Sequence, residues 1–177
     1  SGSTIQSPYF QNFEAGVIPS EYAYDLGSSV VSIDSVVTNQ GRYSLKVSGG
    51  DESFYNGARL TLENENVERL SYWVRVQDSS ETGGYFLIKS GGSSLAWLLL
   101  KRGTVYLNGI ENGLIYSNRW HKVEVQLDWT GKTIDVLLDE TLIMDDVAMQ
   151  GTDPVGVSSI ELFNYTAPSV AYCYRPN

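Results

Sequence analysis

The chain has 177 residues, of which 42% are hydrophobic and 19% are charged, and its formal net charge is −9 at pH 7. This length suits one domain with its own core. The acidic excess disfavours nucleic acid and anionic lipid as partners. The apolar run 95–100 is far shorter than the ~20 residues that a membrane-spanning helix needs, so we expect no membrane insertion.

Apolar and polar residues alternate with a period of two along most of the chain. This period is typical of half-buried β-strands, and the segments are rich in Val, Ile, Tyr and Trp, which suit a pleated sheet. In chain order the strands predicted from this pattern are 42–47, 59–62, 70–76, 85–89, 95–101, 104–108, 120–128, 133–139 and 158–163.

Turn signals separate these segments at intervals of about ten residues, as in an all-β sandwich. Asn-Gly pairs tolerate the positive φ of tight hairpins. The predicted turns include Asn56-Gly57, Gly83-Gly84, Gly91-Gly92, Asn108-Gly109 and Asn112-Gly113. Segment 145–151 has room for one helical turn at most. The pattern predicts an all-β fold, a two-sheet antiparallel jelly-roll β-sandwich, as a single domain over residues 4–177. Residues 1–3 are typical of a cloning remnant.

Three segments carry a resemblance to a known family. Residues 10–16 read FQNFEAG, residues 41–47 read GRYSLKV, and residues 120–125 read WHKVEV with aspartates following at 128, 135 and 139. They resemble laminin-G-like, concanavalin A-like jelly-roll domains of the carbohydrate-binding-module type. The resemblance implies a secreted or cell-surface module, attached to a larger enzyme or adhesin, that binds polysaccharide on a concave sheet. It also implies a structural Ca²⁺ held by Glu14 and Asn39.

Residues with catalytic chemistry are few. The single histidine, His121, begins a predicted strand and reads as a framework residue, and a serine-protease-like triad needs a free histidine base. Glu63, Glu65 and Glu68 are spaced somewhat like the carboxylates of jelly-roll glucanases, but their Asn-rich surroundings indicate a solvated turn. The lone Cys173 excludes an intrachain disulfide and reads as a small buried residue. We therefore expect no catalytic site and a protein that is not an enzyme.

Aromatic side chains that the core does not need are the candidates for sugar binding. Alternation in 70–76 turns Trp73 and Arg75 away from the core face, and a Trp among polar neighbours is informative. The same argument turns Tyr106 and Asn108 outward, and likewise Glu124 and Gln126, as the sequence shows. We predict that these three strands form one sheet face that binds neutral or weakly charged polysaccharide by stacking and hydrogen bonds. The alternative for Trp73 is packing beneath a long loop.

Trp97 is a further candidate, although the leucines around it favour a place in the core. Should Trp73 not bind, the tyrosine-bearing loops around Tyr22, Tyr24 and Tyr55 are the next candidates. Two other functions remain open: an adhesion or protein-interaction domain using the same face, and a glycan-cleaving enzyme using Glu63, Glu65 and Glu68.

Overall fold

The computed structural model describes residues 2–26, 30–49 and 56–173, and within them the chain forms only β-strands and connecting turns. Within these ranges, no helix has the length and apolar character required to cross a membrane. The strands are β1 (Ala23–Leu26), β2 (Val30–Asp34), β3 (Ser44–Ser48), β4 (Asn56–Glu65), β5 (Arg69–Val76), β6 (Thr82–Ser90), β7 (Ser93–Lys101), β8 (Thr104–Leu107), β9 (Ile110–Asn112), β10 (Trp120–Asp128), β11 (Thr133–Leu138), β12 (Thr141–Ala148), β13 (Val157–Asn164) and β14 (Ser169–Cys173).

These strands build two antiparallel sheets of seven strands each. The first sheet has the order β1-β4-β13-β6-β7-β8-β9, and the second has the order β12-β11-β10-β5-β14-β3-β2. The last two strands occupy inner positions, because β13 inserts between β4 and β6 while β14 inserts between β5 and β3. The predicted all-β, two-sheet jelly-roll sandwich is confirmed.

The core lies between the inner faces of the two sheets. Along β10, Val123, Val125 and Leu127 point inward, as the alternation predicts, and all three are buried. The rings of Tyr72 on β5 and Phe86 on β6 stack across the core, with their centroids 4.1 Å apart. Each strand therefore presents one side-chain set to the core and the other to the outer face of its sheet.

The hairpin at Asn108-Gly109 forms where the sequence predicts it. Both residues have positive φ, 49° and 94°, which is the conformation of a type I′ turn. Trp120 and Trp129 have a framework role, because their indole nitrogens donate to the backbone oxygens of Thr38 and Val67.

Two local predictions are wrong. Asn56-Gly57 lies at the start of β4 and Gly83-Gly84 lies within β6, so neither pair is a turn. A Cβ at Gly57 would collide with the carbonyl oxygen of Leu162 on the neighbouring strand, so this glycine permits close strand approach. At both pairs, sheet pairing overrides the local signal. Segment 145–151 continues β12 as far as Ala148 and forms no helical turn, which agrees with the limit of one turn at most.

Candidate functional site

The six outward residues predicted from the three strands do not share one face. β5 and β10 are neighbours in the second sheet, whereas β8 belongs to the first sheet. The prediction of a single face is therefore wrong. Trp73, Arg75, Glu124 and Gln126 lie on the outer face of the second sheet, and Tyr106 lies on the outer face of the first sheet with Trp97.

The outer face of the first sheet carries a group of four aromatic side chains, Tyr85, Trp97, Tyr106 and Tyr165, which we call the aromatic face. The centroids of Trp97 and Tyr106 are 6.4 Å apart with an edge-on geometry. Tyr85 lies 6.4 Å from Trp97 and 6.2 Å from Tyr165. Trp97, Tyr106 and Tyr165 are partly exposed, whereas Tyr85 is buried. Rings in contact on a strand surface form a rigid surface with a large apolar area.

Trp97 is not in the core between the sheets, so the interpretation of Trp97 as a core residue is wrong. Leu98 and Leu100 point inward from β7, and Trp97 and Leu99 point outward. The outward leucine belongs to a second apolar cluster beneath the rings, which also includes Leu87 and Phe163. These side chains are nearly inaccessible, with Leu87 only 1% exposed. The aromatic face therefore rests on an apolar base of its own.

Charged groups border the aromatic face in opposite-sign pairs. The Lys89 ammonium lies 3.1 Å from the Glu161 carboxylate. The Lys101 ammonium lies 3.6 Å from that of Glu111 and 5.4 Å from the centroid of the Tyr106 ring. The alternation of Tyr85, Leu87 and Lys89 against Phe86 and Ile88 could have identified these outward residues from the sequence.

Asn108 has a structural role at the end of β8. Its side-chain oxygen accepts the Trp97 backbone N–H at 2.9 Å. Its amide nitrogen donates to the backbone oxygens of Leu95 and Ala148 at 3.0 and 3.1 Å. Both N–H donors are therefore in use, and the residue holds Trp97 in place on the aromatic face.

The outer face of the second sheet is the competing surface. Alternation along β5 is as predicted, because Tyr72 and Val74 are buried inward while the indole of Trp73 points outward and is partly buried. Lys122 lies opposite Trp73 and its ammonium bonds the Glu140 carboxylate at 2.8 Å.

The remaining candidates on this face are Arg75, Glu124 and Gln126. Gln126 donates to Glu124 at 2.7 Å, so these two neighbours bond each other. Arg75 lies opposite Trp120 in the sheet and is partly buried. Trp120, opposite Arg75, lies on this face as well, so the face carries two indoles among polar groups, in contrast to the four adjoining rings of the aromatic face.

His121 is fixed as a structural residue. It is 1% exposed, its Nδ1 lies 2.7 Å from the Asp139 carboxylate, and its Nε2 accepts the Tyr116 backbone N–H at 3.2 Å. An Nε2 that accepts requires the proton on Nδ1, which therefore donates to Asp139. Both ring nitrogens are occupied, as the framework interpretation predicts.

The glutamate cluster 63–68 also has a structural role. Glu65 accepts hydrogen bonds from the backbone N–H and the hydroxyl of Ser7, and these bonds lower the pKa of its carboxyl. A general acid needs the opposite shift. Glu63 and Glu68 are exposed. The cluster joins the amino-terminal segment to the end of β4.

The proposed calcium ligand Glu14 has protein partners. Its two carboxylate oxygens accept the backbone N–H groups of Arg42 and Tyr43 at 2.8 and 2.9 Å. Backbone N–H groups cannot coordinate a cation, so the observed role of Glu14 is to hold the loop before β3. Calcium at Glu14 and Asn39 stays a prediction.

A separate acidic cluster brings the carboxylates of Asp135, Asp145 and Asp146 within 4.8 Å of one another. The two neighbouring carboxylates raise the pKa of Asp145 by repulsion, Asp146 more than Asp135. Asp135 also accepts the Asp146 backbone N–H at 2.7 Å.

The tyrosine loops contribute no second site among the described residues. Tyr22 is a core residue, 3% exposed, and burial is the main reason that its pKa is raised. Tyr24 is 45% exposed at the edge strand β1, and Tyr55 lies outside the described residues.

A cavity of about 620 Å³ lies between the two sheets, next to the amino-terminal segment. Its walls combine core side chains, such as Leu60, Phe86 and Leu162, with residues of the amino-terminal segment and of 66–71. None of the four rings of the aromatic face is among these walls. This cavity and the aromatic face are therefore different features.

No family model matches the chain, and no curated protein matches it in sequence. Solved structures do match. A structure titled cellulose induced protein, Cip1, has a TM-score of 0.70 and 15% identity over 93% of this chain and 94% of its own. The endo-β-1,4-glucuronan lyase of the fungus Trichoderma reesei has a TM-score of 0.68 and 14% identity over 94% and 92%.

A sialidase also matches, with a TM-score of 0.63 and 13% identity over 96% of this chain but only 15% of its own. At these identities the similarity establishes the fold, a jelly-roll β-sandwich. The two full-length matches also show that this fold occurs as a domain of nearly the same extent.

Proposed function

We propose that this protein is a carbohydrate-binding module that binds a polysaccharide on the aromatic face without cleaving it. The observation that carries the proposal is the set of four contacting rings, of which Trp97 and Tyr106 are partly exposed and bordered by Lys101. Aromatic rings stack on the apolar C–H faces of sugars, and neighbouring polar groups bond the hydroxyls. The structural matches to a glucuronan lyase and a sialidase, proteins named for acting on saccharides, support a carbohydrate ligand.

The binding role is favoured over catalysis by the state of the acid–base groups. His121 is buried with both nitrogens bonded, and the Glu65 carboxyl has a lowered pKa. Among the described tyrosines with a shifted pKa, namely Tyr9, Tyr22, Tyr72 and Tyr172, every shift is upward. A tyrosine base would need the reverse. We further propose a secreted module that keeps an attached enzyme or adhesin close to its glycan by raising effective concentration.

A polysaccharide lyase is the second candidate. The observation that favours it is the approach of Lys101 to Tyr106, since a lyase needs one group to remove a proton and another to protonate the leaving oxygen. The full-length match to the glucuronan lyase points the same way. Prolonged incubation with glucuronan, alginate, xylan and β-glucan distinguishes the two, because a lyase produces new unsaturated ends and a binding module does not.

The binding proposal is tested on a glycan microarray, followed by affinity electrophoresis with the polysaccharides that bind. We expect Trp97→Ala and Tyr106→Ala each to weaken binding at least about tenfold, as for a central aromatic anchor. Trp73→Ala is the matched control, because it removes a partly buried outward aromatic from the opposite face. Loss of binding in Trp73→Ala alone would assign the site to the second sheet. If no glycan binds the parent protein, the proposal is wrong.

A further inference from the structure

We infer that the aromatic face selects neutral glycans over uronate polymers, and that the Lys89–Glu161 pair is the element that makes this selection. This inference rests on the proposed function, because it names the ligand class of that face. The nearly buried carboxylate of Glu161 lies in the same row of side chains as the indole of Trp97.

The row runs across four strands of the first sheet. Arg59 on β4 lies opposite Glu161 on β13, Glu161 lies opposite Leu87 on β6, and Leu87 lies opposite Trp97 on β7. Adjacent strands are about 4.8 Å apart, so Glu161 and Trp97 are separated by two strand spacings, about 10 Å. Leu87 between them is buried in the apolar base. A saccharide stacked on Trp97 therefore extends over Leu87 to reach Glu161.

The Glu161 side chain gives this position a fixed negative charge. It is 6% exposed, and the Lys89 side chain that neutralises it is 27% exposed. Screening by water is weaker in such a site than at an open surface. A uronate carboxylate that approaches Lys89 also approaches Glu161, so repulsion from the acid offsets the attraction by Lys89, while the exposed Arg59 opposite Glu161 adds an attraction that salt screens.

Hydroxyl groups do not meet this conflict. A sugar hydroxyl both donates and accepts, so it can donate to the Glu161 carboxylate and accept from the Lys89 ammonium, whereas an ionised carboxylate only accepts. The same arrangement recurs at the other border of the face, where Lys101 is paired with Glu111. The overall charge of −9 adds a long-range repulsion of polyanions.

The test compares the parent protein with Glu161→Gln, which keeps the shape of the side chain and leaves Lys89 without its acidic partner. The probes are hydroxyethylcellulose and xylan as neutral polymers, with polygalacturonate and alginate as uronates, each titrated by calorimetry at low and physiological salt. We expect the parent to bind a neutral polymer at least about tenfold more tightly than either uronate. Glu161→Gln should raise uronate affinity about tenfold, and added salt should remove this gain.

Glu124→Gln is the matched control, because it makes the same charge change on the opposite outer face and should leave uronate binding unchanged. If Glu161→Gln does not fold, as judged by its melting curve, Glu111→Gln at the exposed second pair replaces it. Tighter uronate binding by the parent overturns the inference and leaves the proposed function intact, as does an equal gain in Glu124→Gln. Failure of every polysaccharide to bind overturns the proposed function and this inference with it.

Discussion

Two buried tyrosines, Tyr72 and Tyr172, should respond oppositely to the loss of a hydroxyl. Their rings lie 6.2 Å apart in the core. The Tyr172 hydroxyl on β14 lies 2.9 Å from the backbone oxygens of Tyr85 and Phe163, so it donates across the sandwich to the first sheet. The Tyr72 hydroxyl is buried and has no hydrogen-bond partner among the described residues.

The magnitudes follow from this difference. Tyr172→Phe removes a bond between the sheets and leaves buried carbonyl oxygens with fewer donors, so it should destabilise the fold by about 1–3 kcal/mol. Tyr72→Phe removes a polar group whose burial is uncompensated, so it should leave stability unchanged or raise it by about 1 kcal/mol. Urea unfolding followed by tryptophan fluorescence measures both, and an unchanged m-value shows that the midpoints report stability. Equal destabilisation by the two substitutions would refute this account of the core.

The side chains of Tyr72 and Tyr172 should also lower the stability of the fold at alkaline pH. Burial raises the pKa of Tyr72 and Tyr172 well above the ordinary phenol value of 10.0. Because the pKa in the folded state exceeds that in the unfolded state, the neutral phenols contribute their full stability below pH 10.0. This stability is lost as the pH rises from there towards the folded-state pKa. Tyr72→Phe removes one of these groups, so its urea midpoint should fall less between about pH 9 and about pH 11 than that of the parent.

Two further predictions concern a glycine and the calcium ion. Gly57→Ala should prevent native pairing of β4 with β13, because its Cβ would collide with the Leu162 carbonyl oxygen. Gly92→Ala is the control and should melt within a few degrees of the parent, because no atom lies within 4 Å of its Cβ. Similar melting temperatures of the two variants would contradict the close-approach argument. If Ca²⁺ binds at Glu14 and Asn39, EDTA should lower the melting temperature and added Ca²⁺ should restore it. A melt unchanged by both additions removes the ion from consideration.

Much of the fold can be predicted from the sequence, because alternation within a single strand decides which of its side chains point toward the core. Alternation within 70–76 correctly turns Trp73 away from Tyr72 and Val74, and each strand decides this independently of the others. Which of the two sheets a strand joins depends on its pairing with other strands, and its own residues do not decide it. β5 pairs with β10 and β14, which are distant in sequence, while β8 pairs with its immediate neighbours β7 and β9. No residue of β8 indicates that this strand belongs to the first sheet while β5 and β10 belong to the second sheet.

The error at Trp97 has a different physical source. A leucine on each side of a strand normally indicates burial on both faces, and β7 is in fact buried on both faces. The apolar base on the outside is what makes the outward leucine Leu99 inaccessible. Period-two reasoning cannot distinguish an outer apolar cluster from a second contact with the core. The four rings come from three strands, β6, β7 and β8, and from the loop after β13, so only the assembled sheet shows the aromatic face.

The difference between the two outer faces is the strongest argument for placing the ligand on the first sheet. The outer face of the second sheet carries Trp73 and Trp120 among polar groups, and Lys122 beside Trp73 is already bonded to Glu140. On the aromatic face, Trp97 and Tyr106 are held edge-on over a buried base, and Asn108 fixes the backbone of Trp97. Side chains held in this way lose little conformational entropy when a ligand binds, and that loss is one of the main costs of association. We therefore expect the sugar-stacking surface where aromatic rings hold one another in place. The ratio of the glycan affinities of Trp97→Ala and Trp73→Ala measures which of the two faces binds. A ratio near one would mean that rigidity of the ring cluster serves the fold alone.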